Sequence, residues 1–467
     1  MRYFCYILQC ADGTFYTGWT TDPSRRVKKH NMGIGARYTR MHNPVRIAYL
    51  EEVEGKSQAL KRELQLKQLP HARKAKLIQT HQPEVLATLP QADWLITAPG
   101  RVNLLGEHVD YNGGSVLPVA INRSIQAAVE RNTEEVHEIH ALDLNEVVVF
   151  SNSSLQQKSD INGNLLPAWA MYPAGVAWAA IQHSLPVSPI KAFYKGSIPV
   201  GAGLSSSAAV EVAFALAWQA AGNWKIDKMT MAKLCLQAES DYVGLRCGLM
   251  DQFACLFGKA GHVMYFDTAS LKWSLLPFPE DISLVIVDSG IRHTLTHSGY
   301  NLRQAECMEA LKIIQQFIHP VPQNLAEVTL DQLQGVAEHI PDHLFRRAKH
   351  VVEECARVQQ AKDDLQNGQI SDFGQRMIEG HLSLRYLYEV SLPELDALVA
   401  IADQIPGCLG ARLTGAGFGG CTINLVENDQ LEAFIATFSQ ECQAKTGKIP
   451  TIMVCKASDG ASVLTLR

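Results

Sequence analysis

A glycine- and serine-rich turn is the feature that most constrains the fold of this chain. Residues 199–208 (PVGAGLSSSA) follow an apolar, β-branched segment and precede a helix-forming pattern from Ala208 to Ala221. Such a turn directs free backbone N–H groups and the positive end of the helix dipole to one point. The pattern predicts a phosphate-binding loop without the Walker G-x-x-x-x-G-K-[ST] spacing. Serine caps after a tight turn are the alternative interpretation.

A polar segment lies upstream of this turn. Residues 100–111 (GRVNLLGEHVDY) place arginine, asparagine, glutamate, histidine and aspartate between two apolar runs. Carboxylates accept hydrogen bonds from vicinal hydroxyls, and a polar group left unpaired by the wrong epimer costs about 1–3 kcal/mol. The segment therefore favours sugar recognition. A turn capped by Glu107 or His108 is the alternative.

A second glycine-rich turn lies far downstream. Residues 413–422 (LTGAGFGGCT) lead into a strand-like run. Glycine suits tight turns and bulges because it tolerates unusual backbone angles, so this segment alone indicates only a turn.

Together, the three segments resemble the three motifs of the galactokinase, homoserine kinase, mevalonate kinase and phosphomevalonate kinase superfamily. Residues 100–111 resemble the galactokinase form of the first motif, and the resemblance extends from about Asp93 to Arg467. Segments 247–253 (CGLMDQF) and 298–307 (SGYNLRQAEC) add to it. The second of these departs from the family, because Gln304 replaces the second arginine of the usual pair.

The resemblance implies ATP- and Mg²⁺-dependent phosphorylation of α-D-galactose at its C1 hydroxyl. Asp251 matches the catalytic aspartate of the family, and Arg101 matches its catalytic arginine. In that role Arg101 is expected to hold Asp251 ionised and to neutralise negative charge on the phosphoryl group during its transfer. The sugar-binding residues would be Glu107, His108, Asp110 and Tyr300.

The resemblance also implies a nucleotide site between two lobes. The ATP-binding residues would be Gly201, Gly203, Leu204, Ser205, Ser206, Ser207, Ala208, Gly415 and Gly417. Ser206 and Glu239 would hold Mg²⁺, with Asp241 as a competing carboxylate. Only glycine is expected to permit the close approach of residues 415–420 to the phosphates.

Two other functions fit the same motifs. The motifs do not fix the side chains near the sugar 2-position, so a kinase for N-acetylgalactosamine is one alternative. The other is a non-catalytic galactose sensor, which resembles galactokinases but lacks the Ser-Ala pair at the end of the phosphate loop. Ser207 and Ala208 are both present here, which favours catalysis.

Charge separates the first eighty residues from the rest. Residues 1–80 hold 15 Lys or Arg against 6 Asp or Glu, whereas the remainder holds 27 against 41. A basic unit of this kind is typical of a domain that meets a polyanion such as DNA. A solvated basic surface is the alternative.

The pattern of residues 1–80 resembles a GIY-YIG nuclease domain. Residues 3–9 and 14–19 predict a hairpin, and helices are expected after Pro23 and over residues 57–69. Phe4 and Cys5 replace the Gly and Ile of the first element, but its tyrosine remains.

The nuclease resemblance implies a set of site residues that suits phosphodiester chemistry, which needs a nucleophile, a cation and a divalent metal. The matching residues are Tyr6, Tyr16, Arg26, His30 and Glu63, with Tyr38, Arg40 and Lys67 as phosphate contacts. Cross-strand packing of the two tyrosines is the alternative for Tyr6 and Tyr16. We therefore expect residues 1–80 to be an independent basic module that binds DNA.

The expected fold class is mixed α/β. A small GIY-YIG-like domain over residues 1–80 is joined by a linker, residues 81–92, to a two-lobed kinase. Its N-terminal lobe is expected over residues 93–285, and its C-terminal lobe over residues 286–467. No apolar run approaches the roughly 20 residues of a membrane span, and eleven scattered cysteines fit a reducing cytoplasm better than a disulfide framework.

Overall fold

The computed structural model describes residues 2–81, 84–199, 201–245, 247–292 and 296–467. It confirms a mixed α/β fold with a small N-terminal domain and a larger two-lobed body. Within the described residues, no helix combines the length and apolar character needed to cross a membrane.

The N-terminal domain is a three-stranded antiparallel sheet in the order β2-β1-β3 with helices around it. Its elements are β1 (Tyr3–Cys10), β2 (Phe15–Thr20), α1 (Pro23–Asn31), α2 (Arg37–Met41), β3 (Val45–Val53), α3 (Gly55–Gln68) and α4 (His71–His81). The predicted hairpin and both predicted helices are confirmed. Asp22 begins α1 by accepting a hydrogen bond from the Arg25 N–H at 2.9 Å.

The N-terminal lobe of the kinase body contains a six-stranded mixed sheet, ordered β16-β4-β6-β9-β7-β8, and a small sheet, ordered β11-β10-β5. Its elements are α5 (Glu84–Thr88), β4 (Trp94–Asn103), β5 (Ser115–Val116), β6 (Pro118–Arg131), β7 (His137–Ala141), β8 (Glu146–Phe150), α6 (Met171–Gln182), β9 (Ile190–Gly196), α7 (Ser206–Gly222), α8 (Lys228–Gln237), α9 (Met250–Phe257), β10 (His262–Asp267) and β11 (Trp273–Pro277).

The C-terminal lobe contains a four-stranded sheet, ordered β13-β14-β12-β15, packed with helices. Its elements are β12 (Ile282–Asp288), α10 (Thr296–Ile314), α11 (Leu330–Gly335), α12 (Asp342–Gln366), α13 (Ile370–Ser383), α14 (Pro393–Asp403), β13 (Cys408–Thr414), β14 (Cys421–Glu427), α15 (Leu431–Thr446) and β15 (Thr451–Cys455). The final strand, β16 (Ser462–Thr465), pairs with β4 in the other lobe.

The lobe boundaries differ from the expected ones at two places. Residue 285 lies inside β12, whose strand partners β14 and β15 are both in the C-terminal lobe, so this lobe begins at or before Ile282. The last residues of the chain return to the N-terminal lobe through β16. The pairing of strands decides where the C-terminal lobe begins and to which lobe the chain end returns. A linear pattern of hydrophobic residues does not contain the information about which strands pair.

The first domain is packed against the kinase body, contrary to the expectation of an independent module. One face of its sheet, which includes Leu8 and Ile47, shares an apolar core with Val85, Leu86 and Leu466. The segment expected as a linker supplies two of these residues from α5; Gln82 and Pro83 lie outside the described residues. Burial of these apolar side chains stabilises the contact between the first domain and the kinase body.

We expect Leu466→Ala to lower the free energy of unfolding by about 2–5 kcal/mol, because it removes a buried side chain from the core between the domains. Urea denaturation of the full chain measures this change. Leu165→Ala is the control, since Leu165 is 81% exposed. Equal effects from the two substitutions would contradict the role assigned to the shared core.

Candidate active site

The phosphate-loop prediction falls at the N-terminus of a buried helix. Helix α7 begins at Ser206, close to the predicted start, and most of its side chains are buried. Ser205 precedes it in the left-handed region with φ 56°, which costs a non-glycine residue about 1–3 kcal/mol. Its hydroxyl makes no cap hydrogen bond to the helix and donates instead to Asp251. The strained turn thus directs a serine hydroxyl away from the helix and toward the Asp251 carboxylate.

The two glycine-rich turns meet at the mouth of this loop. Gly203 and Gly415 have φ of +75° and +84°, and a Cβ on Gly415 would lie 2.8 Å from the Gly203 carbonyl oxygen. A Cβ on Gly203 would lie 3.0 Å from the Thr414 carbonyl oxygen. A side chain at either position would clash with the other turn, so the contact between the two turns itself requires glycine. This requirement adds to the expected close approach of the backbone to the phosphates.

The other predicted loop residues have structural positions around this contact. Gly201 and Gly417 also have positive φ, of 68° and 74°. Leu204 and Ala208 are buried, and the Leu204 carbonyl accepts a hydrogen bond from the Arg101 N–H at 3.2 Å. The loop is thereby attached to β4, the strand that carries Arg101.

Arg101 and Asp251 form a bidentate ion pair at the centre of the site. Arg101 Nε and Nη2 donate to the two carboxylate oxygens of Asp251 at 2.7 and 2.9 Å. Its Nη1 donates to the Gly203 carbonyl at 2.7 Å. Arg101 is 5% exposed, and Coulombic attraction to Asp251 raises its pKa against the opposing effect of burial. The arrangement fixes the Asp251 carboxyl group beside the phosphate loop.

Asp251 lines a cavity of about 130 Å³ together with three more carboxyl groups, those of Glu107, Asp110 and Glu239. Burial raises the pKa of Asp110 to about 7, and the negative charges of Asp251 and Glu107 add to this shift. Burial also raises the pKa of Glu107, against the charges of Arg412 and Arg101. A group of buried hydrogen-bond acceptors suits binding of a polyhydroxylated ligand, whose hydroxyl groups can donate to them.

Glu107 also joins the two lobes. Its Oε1 accepts hydrogen bonds from the Gly415 N–H at 2.7 Å and from the Thr414 hydroxyl at 3.3 Å. This oxygen therefore caps the downstream glycine-rich turn, which agrees with the alternative interpretation of Glu107 as a turn-capping residue. The residue still lines the cavity.

His108 differs from the sequence expectation. Its Nε2 lies 3.1 Å from the Ala416 carbonyl, which can only accept, so Nε2 carries the proton and Nδ1 accepts from the Tyr111 hydroxyl at 2.8 Å. Burial lowers the pKa of His108 to about 3, which keeps the ring neutral. With both nitrogens bonded to protein groups, the ring has no free donor or acceptor for a sugar hydroxyl in this arrangement.

Tyr300 lies where the sequence placed it, at the wall of the cavity. Its ring packs 5.3 Å from His108 and 5.4 Å from Tyr111, measured between centroids. Arg303, on the same helix, is buried and donates to the Tyr388 carbonyl at 2.7 Å. Gln304, where the family has a second arginine, is partly exposed and does not line the cavity. The departure therefore leaves the cavity wall unchanged.

The predicted metal carboxylate is buried, but its hydroxyl neighbour is a different serine. Glu239 accepts a hydrogen bond from Gln252 Nε2 at 2.7 Å, and Ser207 lies beside Glu239 in the lining of the cavity, close enough to help lower its pKa against burial, which raises it. Successive side chains of a helix point about 100° apart, so Ser207 faces Glu239 and Ser206 does not. Asp241, the competing carboxylate, is exposed and does not line the cavity.

The described residues contain no group of three or more His, Cys, Asp or Glu arranged around a metal position. Mg²⁺ usually takes one or two carboxylates and completes its shell with water and substrate phosphates. Glu239 and Ser207 meet that requirement. Buried Glu211, whose Oε1 lacks a partner among the described residues, shares Gln252 Nε2 with Glu239 and is a second carboxyl group there.

A buried charged layer beneath the cavity was missed by the sequence interpretation. Arg412 is fully buried, donates to the Leu104 carbonyl at 3.0 Å and lies 3.4 Å from a carboxylate oxygen of Glu354. Glu354 in turn accepts from the Gly106 N–H at 2.8 Å. The layer connects residues 100–111 to the downstream glycine-rich turn. An arginine inside the otherwise apolar strand β13 was the available signal.

The nuclease-like residues of the first domain also come together. The Tyr6 hydroxyl lies 3.1 Å from Arg26 Nε and 3.3 Å from His30 Nε2, and the rings of Tyr16 and His30 are 5.2 Å apart. Burial and the charge of Arg26 lower the pKa of His30 to about 4. The charge of Glu63 is close enough to help raise the pKa of Tyr6, which burial raises most.

The expected phosphate contacts of the first domain differ in their positions. Lys67 pairs with Glu63 at 3.0 Å, so its ammonium group contacts the carboxylate that was predicted to bind metal. Tyr38 and Arg40 are both exposed on α2, and the Tyr38 ring stacks on that of Tyr16.

Four family models match separate parts of the chain. They are the GHMP kinases N terminal domain over residues 171–259, the galactokinase galactose-binding signature over residues 87–131, the GHMP kinases C terminal over residues 361–444, and the GIY-YIG catalytic domain over residues 2–76.

Among known proteins, a galactokinase of Roseiflexus sp. (strain RS-1) is 41% identical over 366 residues, which are 78% of this chain and 92% of that protein. A Chloroflexus aurantiacus galactokinase is 37% identical over 365 residues, again 78% and 92%. The crystal structure of Lactococcus lactis galactokinase complexed with galactose matches with a TM-score of 0.75 and 31% identity, covering 79% of this chain and 94% of that one. The chain therefore belongs to the galactokinase family and carries a GIY-YIG domain ahead of its kinase lobes.

Proposed function

We propose that this protein transfers the γ-phosphoryl group of ATP to the C1 hydroxyl of α-D-galactose. The observation that carries the proposal is the Arg101–Asp251 pair, held by Ser205 at the N-terminus of α7 and facing a cavity with three further carboxyl groups. A phosphate loop and a hydroxyl-binding site thus meet at one ionised aspartate.

Asp251 is positioned to orient the C1 hydroxyl and to accept its proton as the C1 oxygen bonds to the γ-phosphorus. The bond from that phosphorus to the bridging oxygen of ADP then breaks. Phosphoryl transfer requires mainly positioning and charge stabilisation from the protein. Arg101 keeps Asp251 ionised and places positive charge beside the transferring group.

Sugar recognition is assigned to the carboxylates and to Tyr300. Asp110 and the second oxygen of Glu107 are acceptors for vicinal hydroxyls, and Tyr300 supplies an aromatic wall with a hydroxyl group. His108 is a positioning residue, because its ring nitrogens join Tyr111 to the Ala416 carbonyl. We infer that it fixes the downstream glycine-rich turn against the sugar site.

The nucleotide is assigned to the helix start and the two turns. Backbone N–H groups at the first turn of α7 are free to meet phosphate oxygens. We propose that Ser207 and Glu239 hold Mg²⁺, which would neutralise charge on the phosphates when bound.

A sugar panel with Mg-ATP tests the substrate. Galactose should give the highest ADP release among galactose, N-acetylgalactosamine, glucose and mannose, with galactose 1-phosphate as the product. Turnover of N-acetylgalactosamine alone would identify that sugar, and not galactose, as the substrate. Calorimetric binding of ATP and galactose without any product would establish the sensor instead.

The pH dependence of activity should follow Asp110. Both of its oxygens accept hydroxyl hydrogen bonds only when the carboxyl group is ionised, and its pKa in the folded protein is about 7. We therefore expect kcat/KM for galactose to rise as pH increases to about 7 and then to level off. In Asp110→Asn, kcat/KM should be low and this rise should disappear. A rise that persists unchanged in the variant, at the same Mg-ATP concentration, would assign the titration to another group.

The cluster in the first domain supports a second function, contact with nucleic acid. Arg26 and His30 both lie within hydrogen-bond distance of the Tyr6 hydroxyl, and Glu63 lies close enough to influence the pKa of that hydroxyl. We propose that this domain binds branched or nicked DNA through its basic surface.

Glu63→Gln should abolish any metal-dependent cutting and leave DNA binding nearly intact, because it removes a metal ligand and no phosphate contact. Arg26→Ala should reduce cutting strongly and binding only slightly. Cleavage of labelled nicked and branched DNA with Mg²⁺ or Mn²⁺, beside binding to the same DNA, measures both. If the Glu63→Gln variant still cuts DNA, the Glu63 carboxylate is not a metal ligand needed for cleavage.

A further inference from the structure

The first domain exposes several large apolar side chains on one short segment. Met32 is 72% exposed, Ile34 64%, Tyr38 42% and Met41 78%, all within ten residues that join α1 and include α2. Exposed apolar side chains are ordinary when single, but a cluster of them marks an interaction surface. We call residues 32–41 the apolar loop.

The surroundings of the apolar loop are strongly basic. Residues 23–50 hold seven Lys or Arg and no Asp or Glu. None of these seven side chains forms an ion pair with any residue that the structure describes. Among the same described residues, Arg26 and Arg46 have side-chain hydrogen bonds, and the five without one are Arg25, Lys28, Lys29, Arg37 and Arg40. Unpaired positive charge around exposed apolar groups fits a polyanion that also presents apolar surface.

An aromatic stack connects the apolar loop to the nuclease-like cluster. The Tyr38 ring packs on His42 at a centroid distance of 4.5 Å and lies 6.5 Å from Tyr16 with nearly parallel planes, and the side chain is still 42% exposed. Tyr16 packs on His30, which reaches the Tyr6 hydroxyl. A partner that rests on Tyr38 is thereby placed next to Tyr6 and Arg26.

We propose that the apolar loop contacts unpaired bases of nucleic acid, with Tyr38 stacking on a base and Met32, Ile34 and Met41 inserting beside it. Apolar wedges of this kind enter where bases are already unstacked, and aromatic rings stack on any base. Arg37 and Arg40 contact the flanking phosphates. The inference rests on the nucleic-acid role proposed for the first domain and specifies which DNA structure that domain prefers.

An anionic membrane surface is the other polyanion with an apolar layer. Interfacial binding normally uses an amphipathic helix with a continuous apolar face. Here α2 has five residues, and Met32 and Ile34 lie outside both helices. The stack from Tyr38 to Tyr16 also leads to residues suited to phosphodiester chemistry. Both observations favour nucleic acid.

The test uses the full chain and two labelled DNAs, a fully paired duplex and the same duplex with a short single-stranded gap. Met32→Ser, Ile34→Ser and Met41→Ser together, or Tyr38→Ala alone, should reduce affinity for the gapped DNA about tenfold and change affinity for the paired duplex little. Arg37→Gln with Arg40→Gln should weaken both equally and reduce the salt slope by about 0.9 per lost contact.

The matched control is a triple serine substitution of exposed apolar residues on the kinase body, at Leu144, Ile161 and Leu165. It should leave both affinities unchanged. Equal losses on gapped and paired DNA in the loop variants would overturn the inference while leaving DNA binding intact. No affinity of the unaltered chain for either DNA would overturn the nucleic-acid role and the inference with it. Binding to vesicles of phosphatidylcholine and phosphatidylserine that disappears in the triple loop variant, with DNA binding retained, would assign the loop to membranes.

Discussion

Asp251→Asn is expected to reduce kcat for galactose phosphorylation roughly a thousandfold. The substitution removes the proton acceptor and the negative charge that Arg101 and Ser205 hold in place. Asparagine has nearly the same shape, and its single carbonyl oxygen still accepts one of the two hydrogen bonds from Arg101, so the fold should persist. Galactose-dependent ADP release in single-turnover and steady-state assays measures the effect.

The matched control for this substitution is Asp241→Asn. Asp241 is an exposed carboxylate that does not line the cavity, so kcat should not change. Thermal unfolding of both variants separates loss of chemistry from loss of structure. A folded Asp251→Asn variant with near-normal turnover would show that Asp251 does not take part in proton transfer or in orienting the hydroxyl.

Gly248→Ala is expected to raise KM for galactose about a hundredfold while KM for ATP stays nearly unchanged. Gly248 has no positive φ, so the backbone accepts alanine, but the added Cβ would overlap the Asp110 carboxylate. Asp110 must then move away from the position in which it faces the cavity. Displacement of a binding group by about 1 Å can cost roughly a hundredfold in rate or affinity.

The control for this change is Gly335→Ala, at a glycine of α11 whose Cβ would meet nothing within 4 Å. Its kinetic constants should equal those of the unaltered chain. Calorimetry with galactose alone should show the same loss of affinity in Gly248→Ala as the kinetics. An unchanged KM for galactose would mean that Asp110 does not bind the sugar, or that it moves without consequence.

Local sequence predicted the parts of the site that depend on neighbouring residues. The run of glycines and serines followed by apolar helix formers predicted both a tight turn and the helix that begins at Ser206. The hairpin of the first domain and the capped helix after Asp22 followed in the same way. In each case the interactions that form the element join residues a few positions apart, so the pattern contains the needed information.

Motif order predicted the family, its fold and the pairing of Arg101 with Asp251, which are 150 positions apart. The order of the motifs did not predict which side-chain donor and acceptor atoms remain available to a ligand. Ser207 faces Glu239 because of the helical rotation that follows Ser205, and His108 has both ring nitrogens bonded because Tyr111 and Ala416 pack on either side. The free donors and acceptors of a side chain depend on these packed neighbours.

Tertiary structure alone decided the contacts between distant segments. Glu107 bonds the Gly415 N–H across 308 positions, Arg412 bonds the Leu104 carbonyl across another 308, and Leu466 closes the apolar core beneath the first domain. The sequence determined which residues could make a phosphate loop, a set of sugar acceptors and a basic domain. Their partners come from other lobes and domains, and a partner of that kind is set by chain topology and strand pairing, which no local pattern encodes.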